Sequence, residues 1–252
     1  MEQLTAKVLA FKKIIDQSKN IVFFGGAGVS VPSGIPDFRS ADGVYFAPTN
    51  TIYSAEEMVS RTMFYRNTAL FNDFYFKHLV YPDAKPNPCH LYLAKLEEKG
   101  VLTAVVTQNI DGLHQIAGNK VVYELHGSVH RNYCTKCHTF HNLEQTLKEP
   151  QGKCKHCGNY LKPAVVLFEE GLDGLTLSRS VTAISKADTL IIGGTSLIVQ
   201  PAASLIHYFQ GKNIVVVNKT SIRVPAFLAP NLLFIEADIG KTFELLSQLD
   251  NN

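Results

Sequence analysis

The 252-residue sequence has no tryptophan, three methionines and only 18% charged residues. Its 46% hydrophobic content argues against wholesale disorder. With 24 basic and 22 acidic side chains the formal charge is only +2, so there is no broad electrostatic footprint for nucleic acid or a membrane surface. No apolar run is long enough to span a bilayer. The first residues, Met1-Glu2-Gln3-Leu4-Thr5, lead into an amphipathic pattern and not into the apolar core of a secretory signal. A cytoplasmic monomer without membrane or specific nucleic-acid partners is therefore expected. Two nucleotide fingerprints are missing as well. Gly-x-x-x-x-Gly-Lys-Ser/Thr occurs nowhere, and a Gly-x-Gly-x-x-Gly begun at Gly26 breaks at Val31.

Five strand-like segments that end in small or polar clusters are present. Asn20 to Phe24 runs into Gly25-Gly26-Ala27-Gly28-Val29-Ser30, Leu102 to Val106 into Thr107-Gln108-Asn109-Ile110-Asp111, and Val121 to Leu125 into His126-Gly127-Ser128. Thr189 to Ile192 runs into Gly193-Gly194-Thr195-Ser196, and Ile214 to Val217 stops at Asn218. Open parallel α/β sheets bind ligands beyond the carboxyl ends of their strands, so these clusters read as the wall of one site.

Cysteine is scarce but patterned. Cys134-x-x-Cys137 and Cys154-x-x-Cys157 are separated by sixteen residues, within the range of a four-cysteine zinc module. Two disulfides or a redox pair are the rival readings; the first fits a cytosolic-looking chain poorly, and the second needs no second copy. Four thiolates would close a tetrahedral site to water, so the metal is expected to be structural. Cys89 reads as a plain buried or half-buried thiol.

Leu4, Val8, Phe11 and Ile15 recur at helical spacing ahead of the first strand. Strand–helix alternation is then interrupted twice. Residues 42–86 are crowded with aromatic side chains and read as helices and loops, and residues 130–162 carry the cysteines in a polar stretch too small to fold without metal. Asn87-Pro88 opens a helix that Gly100 stops, Ala164 to Phe168 is a β-branched run, and Leu175 to Ser185 is helical. Gln200-Pro201 starts a helix ended by Gly211, and Ile239 to Leu249 closes the chain as another. The predicted architecture is a doubly wound, parallel, Rossmann-like sheet from residues 1–41, 87–129 and 163–252. A smaller domain combines 42–86 and 130–162.

Gly26-Ala27-Gly28 after a strand would suit a pyrophosphate, although a ligand-free glycine turn looks the same. The following Ser33-Gly34-Ile35-Pro36-Asp37-Phe38-Arg39 puts charge on a loop, where Asp37 either reaches a ligand or caps a turn. Together these stretches resemble the sirtuin family. The likeness extends to Thr107-Gln108-Asn109-Ile110-Asp111-Gly112-Leu113-His114, Glu124-Leu125-His126-Gly127, the four cysteines, and Gly194-Thr195-Ser196-Leu197 with Pro201-Ala202-Ala203.

That resemblance implies an NAD-consuming protein lysine deacylase. Gly26, Ala27, Gly28, Gly194, Thr195, Ser196 and Asn218 would hold the dinucleotide, with Asp238 and Ile239 completing the cofactor set. Phe38 and Arg39 would belong to the cofactor loop, and Ile35, Asp37, Asn109, Ile110 and Asp111 to the nicotinamide pocket. Gln108 would lie at the ribose, His126 would be the general base, and Asn109 and Asp111 would assist electrostatically. Val166 and Phe168 would flank the acylated lysine of a protein partner. In the family's chemistry the acyl oxygen attacks the ribose as nicotinamide leaves, and the acyl group passes to ADP-ribose.

Four positions depart from the family pattern: Val31 for threonine, Ser40 for glycine, Lys162 for arginine, and Glu169 for the glycine of a Phe-Gly-Glu turn. A glycine with positive φ there would leave Glu169 strained. Counting back from Pro86, Asn72 and Tyr75 stand where the branch of the family that prefers acidic acyl groups has tyrosine and arginine, so uncharged acyl groups are expected. Transfer of ADP-ribose to a protein, or NAD or ADP-ribose binding without turnover, are the alternatives.

Overall fold

Each core strand is apolar on both faces, as a sheet covered on two sides requires. The computed structural model describes residues 2–49 and 51–250. Among the described residues nine strands are formed: β1 Ile21–Gly25, β2 Leu102–Thr107, β3 Val122–Glu124, β4 Gly127–Cys134, β5 Phe140–Asn142, β6 Leu161–Val165, β7 Thr189–Gly193, β8 Asn213–Asn218 and β9 Leu232–Glu236. The α-helices are α1 Glu2–Gln17, α2 Ala55–Met58, α3 Arg61–Arg66, α4 Thr68–His78, α5 Pro88–Glu98, α6 Leu113–Ala117, α7 Leu143–Lys148, α8 Gly174–Lys186 and α9 Ile239–Leu249.

Six strands make one parallel sheet in the order β3-β2-β1-β7-β8-β9. The two-residue period of a strand sends alternate side chains to opposite faces. Phe23, Val105, Ile191 and Val215 therefore meet Phe11 of α1, Leu93 of α5 and Phe243 of α9. Val22, Phe24, Val106, Ile192 and Val216 meet Ile184 of α8 together with Leu205 and Ile206. Asn87 caps α5 by accepting from Cys89 N at 3.0 Å, and Asp173 caps α8 by accepting from Thr176 N at 2.7 Å.

Two readings of the sequence need correction and one is refined. The parallel sheet has a sixth strand, β9, because Leu232 to Ile235 is apolar and pairs along β8. The helix expected after Pro201 is present as a 3-10 helix, Ala202–Tyr208. Its buried residues, Ala202, Ala203, Leu205 and Ile206, recur every three positions, which matches three residues per turn. The β-branched run at 164–168 is only partly strand: β6 ends at Val165, and it pairs antiparallel with β4.

The second sheet, β5-β4-β6, carries the cysteines. Val129, Leu143, Val165 and Leu167 from its side pack with Met63, Phe64, Phe71, Phe74 and Tyr75 from α3 and α4. The aromatic stretch is thus mostly core, with Phe46 and Tyr65 as exposed exceptions.

Strand order reverses between β1 and β7, and the register aligns their carboxyl ends. Gly25 lies beside Thr107 of β2 on one side and Gly193 of β7 on the other. A topological switch point of this kind opens a crevice in which ligands bind.

Candidate functional site

The loop after β1 turns through a 3-10 helix at Ala27–Val29, and the loop after β7 crosses it closely. Gly26 N donates to Gly193 O at 3.1 Å and Gly28 N to Gly194 O at 2.8 Å. A Cβ on Gly28 would lie 2.8 Å from Gly194 Cα, so glycine there is dictated first by loop-on-loop packing. Gly194 has φ 57°, and a Cβ on it would lie 2.3 Å from Val29 N. The floor of the crevice is therefore main chain without side chains in the way, which a ligand can approach closely.

Side chains from β2 and β3 join it. Gln108 Nε2 donates to Thr195 Oγ1 at 3.2 Å, bridging the loops after β2 and β7. Ser30, 1% exposed, donates its hydroxyl to Asp111 Oδ2 at 2.7 Å and accepts from Asn109 Nδ2 at 3.0 Å. Asp111 Oδ1 accepts from Leu113 N at 2.8 Å, so both carboxylate oxygens are engaged. Burial pushes the Asp111 carboxyl above its ordinary value, against the pull of Leu113 N–H and the Ser30 hydroxyl. Asn109 N donates to Thr107 Oγ1 at 3.0 Å; with its amide nitrogen on Ser30, its carbonyl oxygen is left for a ligand.

His126 follows β3 and is half-buried. Its Nδ1 lies 2.9 Å from Gln108 O, and a carbonyl only accepts, so Nδ1 carries the proton and Nε2 the lone pair. Burial lowers its pKa, partly offset by that hydrogen bond. His126 O in turn accepts from Val166 N at 2.9 Å, tying it to the strand end after β6.

The loop 35–46 is held differently. Asp37 Oδ1 accepts from Arg39 N at 3.0 Å and Ser40 N at 2.7 Å, so Asp37 is the cap of its own turn. Phe38 meets Tyr45 at 5.6 Å, and the Arg39 guanidinium lies over the Tyr45 ring at 5.3 Å. Ile35 N donates to Ser30 O at 3.3 Å, and Ile110 O accepts from Val129 N at 3.0 Å.

Gly26, Ala27, Gly28, Gln108, Asn109, Asp111, His126, Gly194 and Thr195 thus share one hydrogen-bonded constellation, and Ser196 follows it exposed. Asn218, Asp238 and Ile239 lie further along the sheet. Ala237 N donates to Asn218 O at 3.0 Å, Asp238 pairs with Lys219 at 3.1 Å, and Ile239 is buried in the core. Ser30 and Thr107 were not singled out from the sequence. Their hydroxyls look ordinary there, since Ser30 meets its partner Asp111 only across 81 positions. His114 is fully buried against His90, with ring centroids 4.7 Å apart, and neither of its nitrogens has a partner among the described residues. Asn72 donates to Gln151 O at 2.8 Å and Tyr75 is buried, so both positions belong to packing in this structure.

The four cysteine sulfurs lie within 4.8 Å of one another. Cys134 to Cys157 is 3.3 Å, Cys137 to Cys157 3.5 Å and Cys137 to Cys154 3.6 Å. A zinc tetrahedron with bonds of ~2.3 Å has edges of about 3.8 Å, so the donor set fits zinc. The Thr139 hydroxyl and N–H help bring the Cys137 thiol down to about 6. His141, buried, places Nε2 3.4 Å from Cys154 Sγ, the kind of outer partner that steadies a metal thiolate.

Comparison with known proteins bears on this geometry. The Sir2 family profile matches residues 26–201. An NAD-dependent protein deacetylase of Clostridium perfringens is 57% identical over 93% of this chain and 96% of its own length. One of Clostridium acetobutylicum is 52% identical over 96% and 98%. A solved Sir2 structure with a deacetylated peptide and acetyl ADP ribose superposes with TM-score 0.84 at 34% identity, covering 96% of this chain and 98% of that one. Another Sir2 bound to acetylated peptide gives 0.81 at 33% identity, covering 97% and 98%.

Proposed function

The chain belongs to the Sir2 family and is an NAD-dependent protein deacetylase, and we propose that its crevice passes the acyl group of a protein lysine to NAD through His126 as general base. The observation that carries this reading is the bond from His126 Nδ1 to Gln108 O, which presents an unprotonated Nε2 at the carboxyl end of the sheet. Burial lowers the pKa of His126 and so keeps it neutral near pH 7.

NAD supplies the ribose that accepts the acyl group and the nicotinamide that departs. Gly26, Ala27, Gly28, Gly194, Thr195 and Ser196 line its pyrophosphate, the glycines letting it approach the main chain closely, with Asn218, Asp238 and Ile239 toward the adenosine end. Ile35, Asp37, Phe38, Arg39 and Ile110 enclose the nicotinamide side, and Gln108 meets the ribose. Asn109 turns its carbonyl oxygen to the sugar as positive charge develops there, and half-buried Asp111 adds negative potential while fixing Ser30. Val166 and Phe168 flank the acylated lysine; the exposed Phe168 ring is the part free to do so, since its main chain is engaged by Val59 and Arg61. Cys134, Cys137, Cys154 and Cys157 hold a structural zinc whose full coordination leaves no place for water.

The sheet formed from 1–41, 87–129 and 163–252 acts as the NAD-binding domain, with 42–86 and 130–162 as the small domain. Acylated lysines of other proteins are the partners, acting on a monomer with no nucleic-acid or membrane role. No helix among the described residues is long and apolar enough to cross a membrane, and four thiolates kept for zinc suit the reducing cytoplasm. With Asn72 and Tyr75 at the positions where the branch that prefers acidic acyl groups has tyrosine and arginine, an acyl chain ending in a carboxylate would enter without a bidentate guanidinium partner, unless Arg66 is recruited. Acetyl and other uncharged acyl groups are favoured.

Counting products tests this reading. One nicotinamide per freed lysine is expected, with a succinyl peptide much slower than its acetyl counterpart. Nicotinamide release that proceeds at full rate without any acylated peptide would overturn it.

A further inference from the structure

Glu169 occupies φ 74°, a region that favours glycine and strains other residues. Its carboxylate is engaged across the chain: Oε2 accepts from Thr62 N at 2.9 Å and from Thr62 Oγ1 at 2.7 Å. Thr62 lies in the first turn of α3, where N–H groups lack helical partners. Its neighbour Phe168 pairs with the same segment, through Arg61 N to Phe168 O at 3.0 Å and Phe168 N to Val59 O at 3.3 Å. Glu170 closes the turn from the other side, accepting from Leu167 N at 3.0 Å and from Lys162 Nζ at 3.1 Å. Lys162 stands at another of the positions that depart from the family pattern, and Glu170 is its ionic partner.

Two routes connect this turn to the reaction site. Val166 N holds His126 O at 2.9 Å. Phe168 meets Tyr45 at 6.4 Å, and Tyr45 meets Phe38 of the cofactor loop at 5.6 Å. The position of the turn 166–169 against α3 therefore sets where the exposed Phe168 ring stands.

We propose that Glu169 is a positioning residue for the acylated lysine: its carboxylate clamps the 166–169 turn to the start of α3 through Thr62 and so fixes Phe168 at the mouth of the lysine channel. The inference rests on the reading that Phe168 flanks the substrate. Glycine at this position would adopt the same φ without strain but would leave the turn untied. The carboxylate gives a reason for a side chain at a position where backbone geometry alone favours none.

The test is steady-state kinetics with an acetyl-lysine peptide and NAD for E169G, E169Q, T62V and F168A, each with its melting temperature. Ser60 still caps α3 in the Thr62 variant by accepting from Met63 N, so that variant keeps its fold. E169G is expected to raise the peptide KM about five- to tenfold, as loss of charge-assisted hydrogen bonds does, with kcat and the KM for NAD within about twofold. T62V gives a smaller rise, and E169Q, which keeps an acceptor, restores most of the affinity. Unchanged peptide KM in E169G and T62V while F168A raises it would overturn the role of Glu169 alone. An unchanged peptide KM in F168A would instead overturn the placement of the substrate, and the inference with it.

Discussion

His126 Nδ1 lies 2.9 Å from the main-chain oxygen of Gln108. One contact thereby fixes both the ring's orientation and its tautomer, and the base is built before any substrate arrives. Burial lowers the pKa from the ordinary 6.5, so the neutral form dominates at pH 7. Since a base must be unprotonated, kcat should be flat above neutrality and fall as pH drops through a midpoint below 6.5. His126→Ala should fold normally and lose about 100- to 10,000-fold in kcat. Stopped-assay rates from pH 5 to 9 check both points; a midpoint above 7 would contradict the burial argument.

Ser30 is the joint between Asn109 and Asp111. Ser30→Ala leaves a half-buried carboxylate oxygen and a buried amide short of partners, a cost of about 1–3 kcal/mol. kcat/KM for NAD should fall about tenfold or more. A variant with wild-type kinetics would remove this joint from the site.

Cys134 is 1% exposed, and it and the other three thiols bring together segments with little apolar core of their own beyond Leu161. Cys134→Ala should lose zinc and melt roughly 10 °C lower or more, with activity lost through unfolding. Metal analysis and calorimetry on one sample decide it, because a zinc-free variant of unchanged stability contradicts a structural role.

His90 and His114 pack against each other without an acidic partner, and burial lowers both, His90 to about 4. An unfolded chain protonates these rings near 6.5 while the folded one does not. Stability should therefore fall with pH from 6.5 toward 4, by up to about 1.4 kcal/mol per unit for each ring. Denaturation midpoints for wild type and His90→Asn across that window should show a weaker slope in the variant.

The parallel sheet was legible because its central strands are buried on both faces and appear as unbroken apolar runs such as Ile21 to Phe24. β9 was not, since Ala237-Asp238 after it looks like a plain helix cap and carries none of the glycine that marked β1 and β7. Local chemistry fared well: Asn87-Pro88 does begin α5, and Ile239 to Leu249 is α9. The long-range partnerships did not show. Nothing near Ser30 points to Asp111, and nothing near His141 points to Cys154 thirteen residues on. Asp37 admitted a cap or a ligand contact, and its bonds to Arg39 N and Ser40 N display the cap.

The central claim is tested most directly by incubating wild type and His126→Ala with NAD and an acetyl-lysine peptide and weighing every product by mass spectrometry. The account predicts free lysine peptide, nicotinamide and O-acetyl-ADP-ribose from the wild type, and almost none from the variant. An untouched peptide alongside protein that has gained ADP-ribose, or equal deacetylation by the variant, would contradict it.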